Sequence, residues 1–390
     1  MIASWAKKIS DFVDGKTKEM LLFLEEIINT DSHSLDRAGV NRVGQSLAEK
    51  FREIGYDLEI RPQRDLGDHI FARNKKGAAG KKILLLGHRD TVFLPGTTSD
   101  FRFRIDGDRA YGPAVSDMKG GLVVMIYALW AIKQLGLNEP EIETLITPDE
   151  EIGSPSSRKV IEEAARNAMA VFSLEAGRPD GSVVTGRKGS GHLEIMVTGK
   201  AAHSGVAFEK GISAIEELAR KITALHRLTD LDRGMTVNVG VIWGGTNTNT
   251  VAGMAGAKVH FCFNSVEDGE TLLTRIKEIA LKPDLEGTTG TLSGGITFLP
   301  MTKTPGNAKL FEIVQEAGKM YGVNIHESFT KGAADAGFTS AMGVPTICGM
   351  GPVGGHWHTT EEYMEVPSLA ARTKILALSV LMAAREKGNF

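Results

Sequence analysis

Apolar positions along the chain recur with a helical period and an extended period in alternation. Residues 19–28 and 41–54 carry apolar residues on one helical face, the second run closed by Gly55, and residues 56–60 then read as a strand. A short apolar strand over 82–86, a helix over 121–136, a strand over 142–146 stopped by Pro148, a helix over 157–167 and a strand over 168–174 follow. Such alternation predicts an α/β fold with a helix-flanked, mixed but largely parallel sheet.

From about Gly181 the rhythm changes. Strands are expected over 192–198, 236–243, 257–263 and 290–298, with helices over 211–228 and 269–281. That order, β-α-β-β-α-β, is the order of a ferredoxin-like α+β unit. After Pro300 the α/β rhythm returns with a helix over 308–321, a strand over 344–348 and a last helix over 368–386. The simplest organisation is a catalytic-type domain built from residues 1–181 and 299–390, with residues 182–298 inserted as a smaller domain.

Composition narrows the class. With 390 residues, 42% of them hydrophobic, the chain is long enough for two domains and a large core. Its longest apolar stretch, 122–132, is too short to cross a bilayer, and no membrane association is expected. The N-terminus has no signal-peptide pattern, which implies a cytoplasmic location. Basic and acidic residues, 45 against 48, are interspersed and leave a formal charge of −3, so no nucleic-acid footprint is present and small-molecule substrates are favoured. Cys262 and Cys348 each lie in an apolar run and read as packed core thiols. A metal centre would therefore rest on histidines and carboxylates.

Candidate chemistry falls at strand ends. His88 and Asp90 follow the strand over 82–86, Glu150 and Glu151 follow the one ending near Thr147, Glu175 directly follows Leu174, and His358 lies in a glycine-rich loop after 344–348. The carboxyl ends of strands are where open α/β sheets bind ligands. His88 and Asp90 are two apart, so an extended backbone points both to one side, and Asp90 can orient the His88 ring. Asp117 opens the long helix, where it reads equally well as a helix N-cap or as a ligand. The run Asp149-Glu150-Glu151 reads either as a solvated acidic turn or as part of a site.

Taken together, residues 82–92, 111–121, 147–154 and Glu175, with Gly332-Ala333-Ala334-Asp335 and His358-Thr359-Thr360-Glu361-Glu362-Tyr363, resemble the motifs of the M20 family of metallopeptidases. The resemblance is in particular to its carboxypeptidase G2 (glutamate carboxypeptidase) branch. The resemblance implies a catalytic domain with an inserted lid or dimerisation domain, and two zinc ions with cobalt or manganese as possible substitutes. His88 and Glu175 would hold one ion, Glu151 and His358 the other, and Asp117 would bridge both, with the peptide between Asp117 and Met118 expected to be cis. Glu150 would be the general base. His356 is the nearest rival to His358. Three carboxylates and two neutral histidines would set −3 against +4 from two divalent cations.

Within the inserted segment, Gly199-Lys200-Ala201-Ala202-His203-Ser204-Gly205 is similar to the family's lid motif. It implies that His203 contacts the substrate carbonyl or oxyanion, reaching a partner's site in a homodimer, while Asn249 matches a substrate-contacting asparagine. The implied activity is metallocarboxypeptidase release of a C-terminal, glutamate-type amino acid, with an N-acyl-amino-acid amidohydrolase or a dipeptidase as alternatives. One departure bears on specificity. An arginine common in the family is replaced by Cys262, so Arg178, Arg187 or Lys188 would have to hold a substrate carboxylate, or the substrate is neutral.

Overall fold

A computed structural model describes residues 1–74, 81–136 and 140–386. The chain forms two compact units: Met1–Gly186 with Lys303–Thr330 and Ala334–Phe390, and Arg187–Thr302 with Lys331–Ala333.

The first unit is built on a six-stranded sheet. Its strands are β1 (Asp57–Arg61), β2 (His69–Arg73), β3 (Lys82–His88), β4 (Ile142–Thr147), β5 (Ala168–Ser173) and the short Thr346–Ile347, in the spatial order β1-β2-β4-β3-β5 and then Thr346–Ile347. The pairs β3–β4, β3–β5 and β5 with Thr346–Ile347 are parallel, while β1 and β2 make an antiparallel edge. Strands β3, β4 and β5 are near-continuous apolar runs because both faces are covered. The β2 strand was not expected from the sequence. It has only five residues, four of them buried, and so lacks the alternation that marks a half-exposed strand.

Helices Ile2–Ile28, Lys119–Gln134 and Val366–Arg385 pack on one another and share the main apolar core. The first runs through Gly15 from Ile2, well before the expected start at residue 19, because Ala6, Ile9 and Val13 continue the buried stripe of Met20, Phe23 and Leu24. The last is long and apolar enough to cross a membrane, yet 67% of its most apolar stretch is buried as a core helix.

The second unit holds β6 (Gly189–Thr198), β7 (Thr236–Gly244), β8 (Met254–Phe263) and β9 (Thr289–Phe298), all antiparallel, in the order β7-β8-β6-β9. Helices Ala214–His226 and Val266–Leu281 cover one face over Leu193, Ile195, Val259, Phe261 and Phe263. Their starts are set by Ser213, which accepts from Glu216 N, and Ser265, which accepts from Asp268 N. On β8 the alternation puts His260 and Cys262 on the opposite face. Cys262 is consequently only partly buried, not the core thiol expected, whereas Cys348 is buried.

Candidate metal centre

Three adjacent parallel strands end together. His88 pairs with Thr147, and Leu174 N donates to Leu86 O at 2.9 Å, which brings His88, the loop of Glu150 and Glu151, and Glu175 to one rim of the sheet. The helix Lys119–Gln134 reaches that rim because Gly121 lies against Leu174, where a Cβ would come within 1.9 Å of its carbonyl oxygen. Asp117 stands just before this helix without capping it. The N-cap is Met118, and no side chain caps the first turn. The Asp117–Met118 peptide is cis.

Asp117 presents one oxygen to each histidine. Its Oδ1 lies 3.6 Å from His88 Nε2 and its Oδ2 lies 3.4 Å from His358 Nε2. Glu175 Oε1 is 3.8 Å from His88 Nε2, and Glu151 Oε2 is 3.2 Å from His358 Nε2. The structure thus brings His88, Asp117, Glu151, Glu175 and His358 together, with Glu175 beside His88 and Glu151 beside His358. The ligand atoms of His88, Asp117 and Glu151 also lie within 4.8 Å of one another. His356 instead faces Glu361, at 3.6 Å, and packs edge-on against Tyr363.

Other polar groups hold these side chains in place. His88 Nδ1 is 3.1 Å from the Asp90 carbonyl oxygen and 3.4 Å from its Oδ1, which leaves Nε2 facing Asp117. The Asp90 carboxylate mainly grips the acidic loop, accepting from Glu150 N and Glu151 N at 3.1 Å each and from Ser34 Oγ at 2.7 Å. Asp149 accepts from Ser156 N at 2.7 Å and from Ser157 Oγ, so the first carboxylate of the run is architectural.

Two supports were quoted as motif letters in the sequence but given no role there. Glu362 accepts from Ala114 N, Ser116 N and Asp117 N at 3.0–3.1 Å and fixes the loop of Asp117. Asp335 accepts from Ser154 Oγ and, at 3.2 Å, from Thr147 Oγ1. Backbone strain collects on the same loops. Ala114, Ser154, His356 and His358 have φ between 56° and 63°, a region that costs non-glycine residues free energy and recurs at functional sites.

The electrostatics suit a cation. Burial, reinforced by Glu175, Asp335 and Glu151, raises the Glu150 carboxyl well above the ordinary range even though His88 opposes the shift. Burial and the neighbouring Asp117 push Glu151 up to about 7 against the pull of His358, and burial pushes Asp335 to about 7 as well. Hydrogen bonds to Asp117 and Glu151 raise His358 to about 10. Positive charge is thus drawn into the cluster as protons, which divalent cations would replace on a mixed nitrogen and oxygen donor set. The residues present fit two such ions.

Within the second unit, Ala202–His203 pairs with Thr250–Val251, and Ser204 N donates to Asn249 O at 2.9 Å, so His203 and Asn249 are neighbours. His203 Nδ1 accepts from Gly205 N at 3.1 Å and Val206 N at 3.2 Å. A nitrogen that accepts from two amides carries no proton, so Nε2 bears the hydrogen and is a donor. Of the three basic candidates for a carboxylate clamp, Lys188 Nζ donates to Gly234 O and Arg187 is buried. Arg178 stacks over Trp357, next to His358, with Cζ 4.4 Å from the ring centroid.

Comparison with known proteins adds the chain's relatives. The signature of peptidase family M20/M25/M40 matches residues 84–382. The chain is 28% identical over 370 residues to carboxypeptidase G2 of Pseudomonas sp. (strain RS-16), spanning 92% of this chain and 88% of that protein. It is 28% identical over 386 residues to succinyl-diaminopimelate desuccinylase of Pseudoalteromonas atlantica, spanning 92% and 96%. Its fold matches that of an M20 family metallo-carboxypeptidase, Sso-CP2 from Sulfolobus solfataricus, with TM-score 0.76 at 19% identity over 94% and 99% of the two chains.

Proposed function

The chain belongs to peptidase family M20/M25/M40 and is an enzyme that hydrolyses peptide or amide bonds, and from that premise we propose a zinc-dependent metallocarboxypeptidase that releases a C-terminal, glutamate-type amino acid from N-acyl or peptidyl substrates. The carrying observation is Asp117, whose two oxygens each face a different histidine with a glutamate beside it. In this reading His88 and Glu175 would hold one zinc and Glu151 and His358 the other, with Asp117 available to both. When bound, the metal pair supplies Lewis acidity toward the scissile carbonyl and a water acidified to a pKa of about 7.

The remaining work falls to side chains. Glu150, buried beside the ligands with its amide fixed by Asp90, accepts the proton of the attacking water and returns it to the leaving nitrogen, a shuttle worth roughly 10²- to 10⁴-fold. His203 donates through Nε2–H to the developing oxyanion, and Asn249 beside it contacts the substrate. Arg178, held flat by Trp357, recognises the substrate carboxylate. The desuccinylase relative supports a second reading within the same family, an N-acyl-amino-acid deacylase, for which the acyl group and not the C-terminal amino acid sets specificity.

The test is a hydrolysis screen of N-acyl and dipeptide substrates ending in Glu, Asp, Ala or Leu, run beside elemental analysis of the protein. We expect about two zinc ions per chain and the fastest turnover with C-terminal Glu. Turnover indifferent to the C-terminal residue but steeply dependent on the acyl group would move the assignment to the deacylase. Activity that persists after chelation has removed the metal would overturn the metal dependence.

The reading extends to assembly and location. A cytoplasmic homodimer is proposed, supported by the outer edge of β7, an edge strand that exposes Val241, Ile242 and Trp243. Were His203 to act across the dimer, mixing the His203→Ala and Glu150→Gln variants would restore about one quarter of wild-type sites, since half the dimers are mixed and each has one intact site. A subunit-exchanging mixture that stays inactive contradicts the trans role.

A further inference from the structure

The open face of the second unit's sheet carries a group of potential ligands that the hydrolytic centre does not use. His192 on β6 and His260 on β8 are register partners, so their side chains rise from the same face. Their ring centroids are 4.7 Å apart at an interplanar angle of 37°. Cys262, two residues beyond His260, emerges on that face too, with Sγ 3.7 Å from His260 Nε2. In the same row Gly295 presents no side chain, and a Cβ there would meet no atom within 4 Å. A depression of about 380 Å³ opens beside the histidine pair.

We propose that His192, His260 and Cys262 form a mononuclear site for a transition-metal ion of the zinc or cobalt class, with solvent from the open depression completing a tetrahedron. Two ligand atoms on one tetrahedral zinc, with a Zn–N bond of about 2.0 Å and a Zn–S bond of about 2.3 Å, stand about 3.5 Å apart. The 3.7 Å between His260 Nε2 and Cys262 Sγ is close to that spacing. His192 is exposed, and its ring would have to turn about its side-chain bonds to join them. Burial holds both imidazoles below their ordinary pKa, and His192 adds to the shift of His260, which favours the neutral imidazoles that a cation needs. Burial raises the Cys262 thiol, so ion binding there releases a proton. Bound, the ion would tie β6 to β8 at the register pair of His192 and His260.

Every ligand proposed for the hydrolytic centre is nitrogen or oxygen, so a thiolate-to-metal band reports the new site alone. The experiment titrates cobalt(II) into zinc-loaded enzyme in reducing buffer and follows the near-ultraviolet thiolate charge-transfer band together with bound metal. The expected result is about one further ion per chain with that band. Cys262→Ser should abolish the band, and His260→Ala or His192→Ala should each weaken binding at least about tenfold. The variant Glu151→Ala should keep the band. Absence of the band in the wild-type enzyme overturns the proposal, as does its persistence in Cys262→Ser or unchanged affinity in His260→Ala.

Discussion

Both units bury charge, but they do so on opposite terms. In the second unit Glu217 and Lys221, each 1% exposed, face one another at 2.7 Å on one helix. Lys221 Nζ also donates to Ile279 O and Lys282 O, while Glu217 accepts from Asp284 N and Leu285 N. Burial alone would raise the Glu217 carboxyl, yet Lys221 and the two amides hold it below its ordinary value. In the first unit Glu150, Glu151, Asp335 and Glu362 are buried among carboxylates of the same sign, and burial pushes every one of them up, Glu362 to about 8. A buried charge whose partners are all present is architecture. A cluster of like charges held together by surrounding hydrogen bonds is built for a ligand of opposite charge.

The largest test of that contrast separates two adjacent glutamates. Glu150→Gln should keep about two metals per chain and lose at least roughly 10²-fold in kcat, because only the proton shuttle is removed. Glu151→Ala should lose metal as well as activity. Removing one of several like charges should also raise the thermal midpoint of metal-free Glu150→Gln above that of the metal-free wild type. Elemental analysis, steady-state kinetics and calorimetry check the three statements, and equal metal loss in both variants would remove the division of roles.

The paired site should respond in the opposite way. Glu217→Ala leaves the Lys221 ammonium buried without its partner and should cost about 3–5 kcal/mol of stability. Replacing both, as Glu217→Leu with Lys221→Met, should cost less than the single change because no charge is then left stranded, the remaining cost being the backbone groups of Ile279, Lys282, Asp284 and Leu285 that lose their side-chain partners. Urea unfolding of the single and double variants closes the cycle. A double variant as unstable as the single one would mean that the pair contributes more than mutual neutralisation.

What the sequence made legible follows the same divide. His88, Glu150 and Glu175 were readable because each sits within three residues of the end of an apolar strand, a local pattern. Asp117 was ambiguous as cap or ligand, and only the structure shows Met118 capping the helix. Glu362 and Asp335 owe their functions to partners 246 and 188 positions away, which no local pattern encodes. Two helices begin ahead of their expected starts because a side-chain cap precedes the apolar stripe. Ser265 begins its helix ahead of the expected Gly269, and Thr304 with Pro305 ahead of the expected Ala308. Serine or threonine three residues ahead of a polar Asp268 or Asn307, whose backbone N–H donates to its hydroxyl, is the available signal. The outward face of β8 was equally available in the alternation of Val259, Phe261 and Phe263 with His260 and Cys262.

A smaller effect concerns charge at the rim of the site. Arg178→Ala should raise KM for a substrate with a free C-terminal carboxylate by about tenfold or more, the loss expected for one charge-assisted hydrogen bond. The matching C-terminal amide should be nearly unaffected, and kcat should change little for either. Equal effects on acid and amide would assign Arg178 to holding Trp357 and the His358 loop in place.

The smallest predicted effect uses a buried group that is neutral. His69 is fully buried, with Nε2 3.1 Å from Ser157 Oγ and Nδ1 3.1 Å from Gln63 Nε2, and burial lowers its pKa from 6.5 to about 4. The folded state therefore resists a proton that the unfolded chain takes up. The resulting stability is fully present above pH 6.5 and is lost as the pH falls from 6.5 toward 4, because in that window the unfolded state binds more protons. By pH 5.5 the loss amounts to about 1.4 kcal/mol, one pH unit below the unfolded pKa. The His69→Gln variant keeps hydrogen-bonding capacity but does not titrate, so its stability should fall less than that of the wild type between pH 7 and 5.5, by about that amount. Urea midpoints measured across this range on metal-free protein isolate the difference, since the site carboxylates titrate alike in both chains. Parallel curves for variant and wild type would show that His69 takes its proton without unfolding, and the contrast between satisfied and unsatisfied burial would then rest on the carboxylates alone.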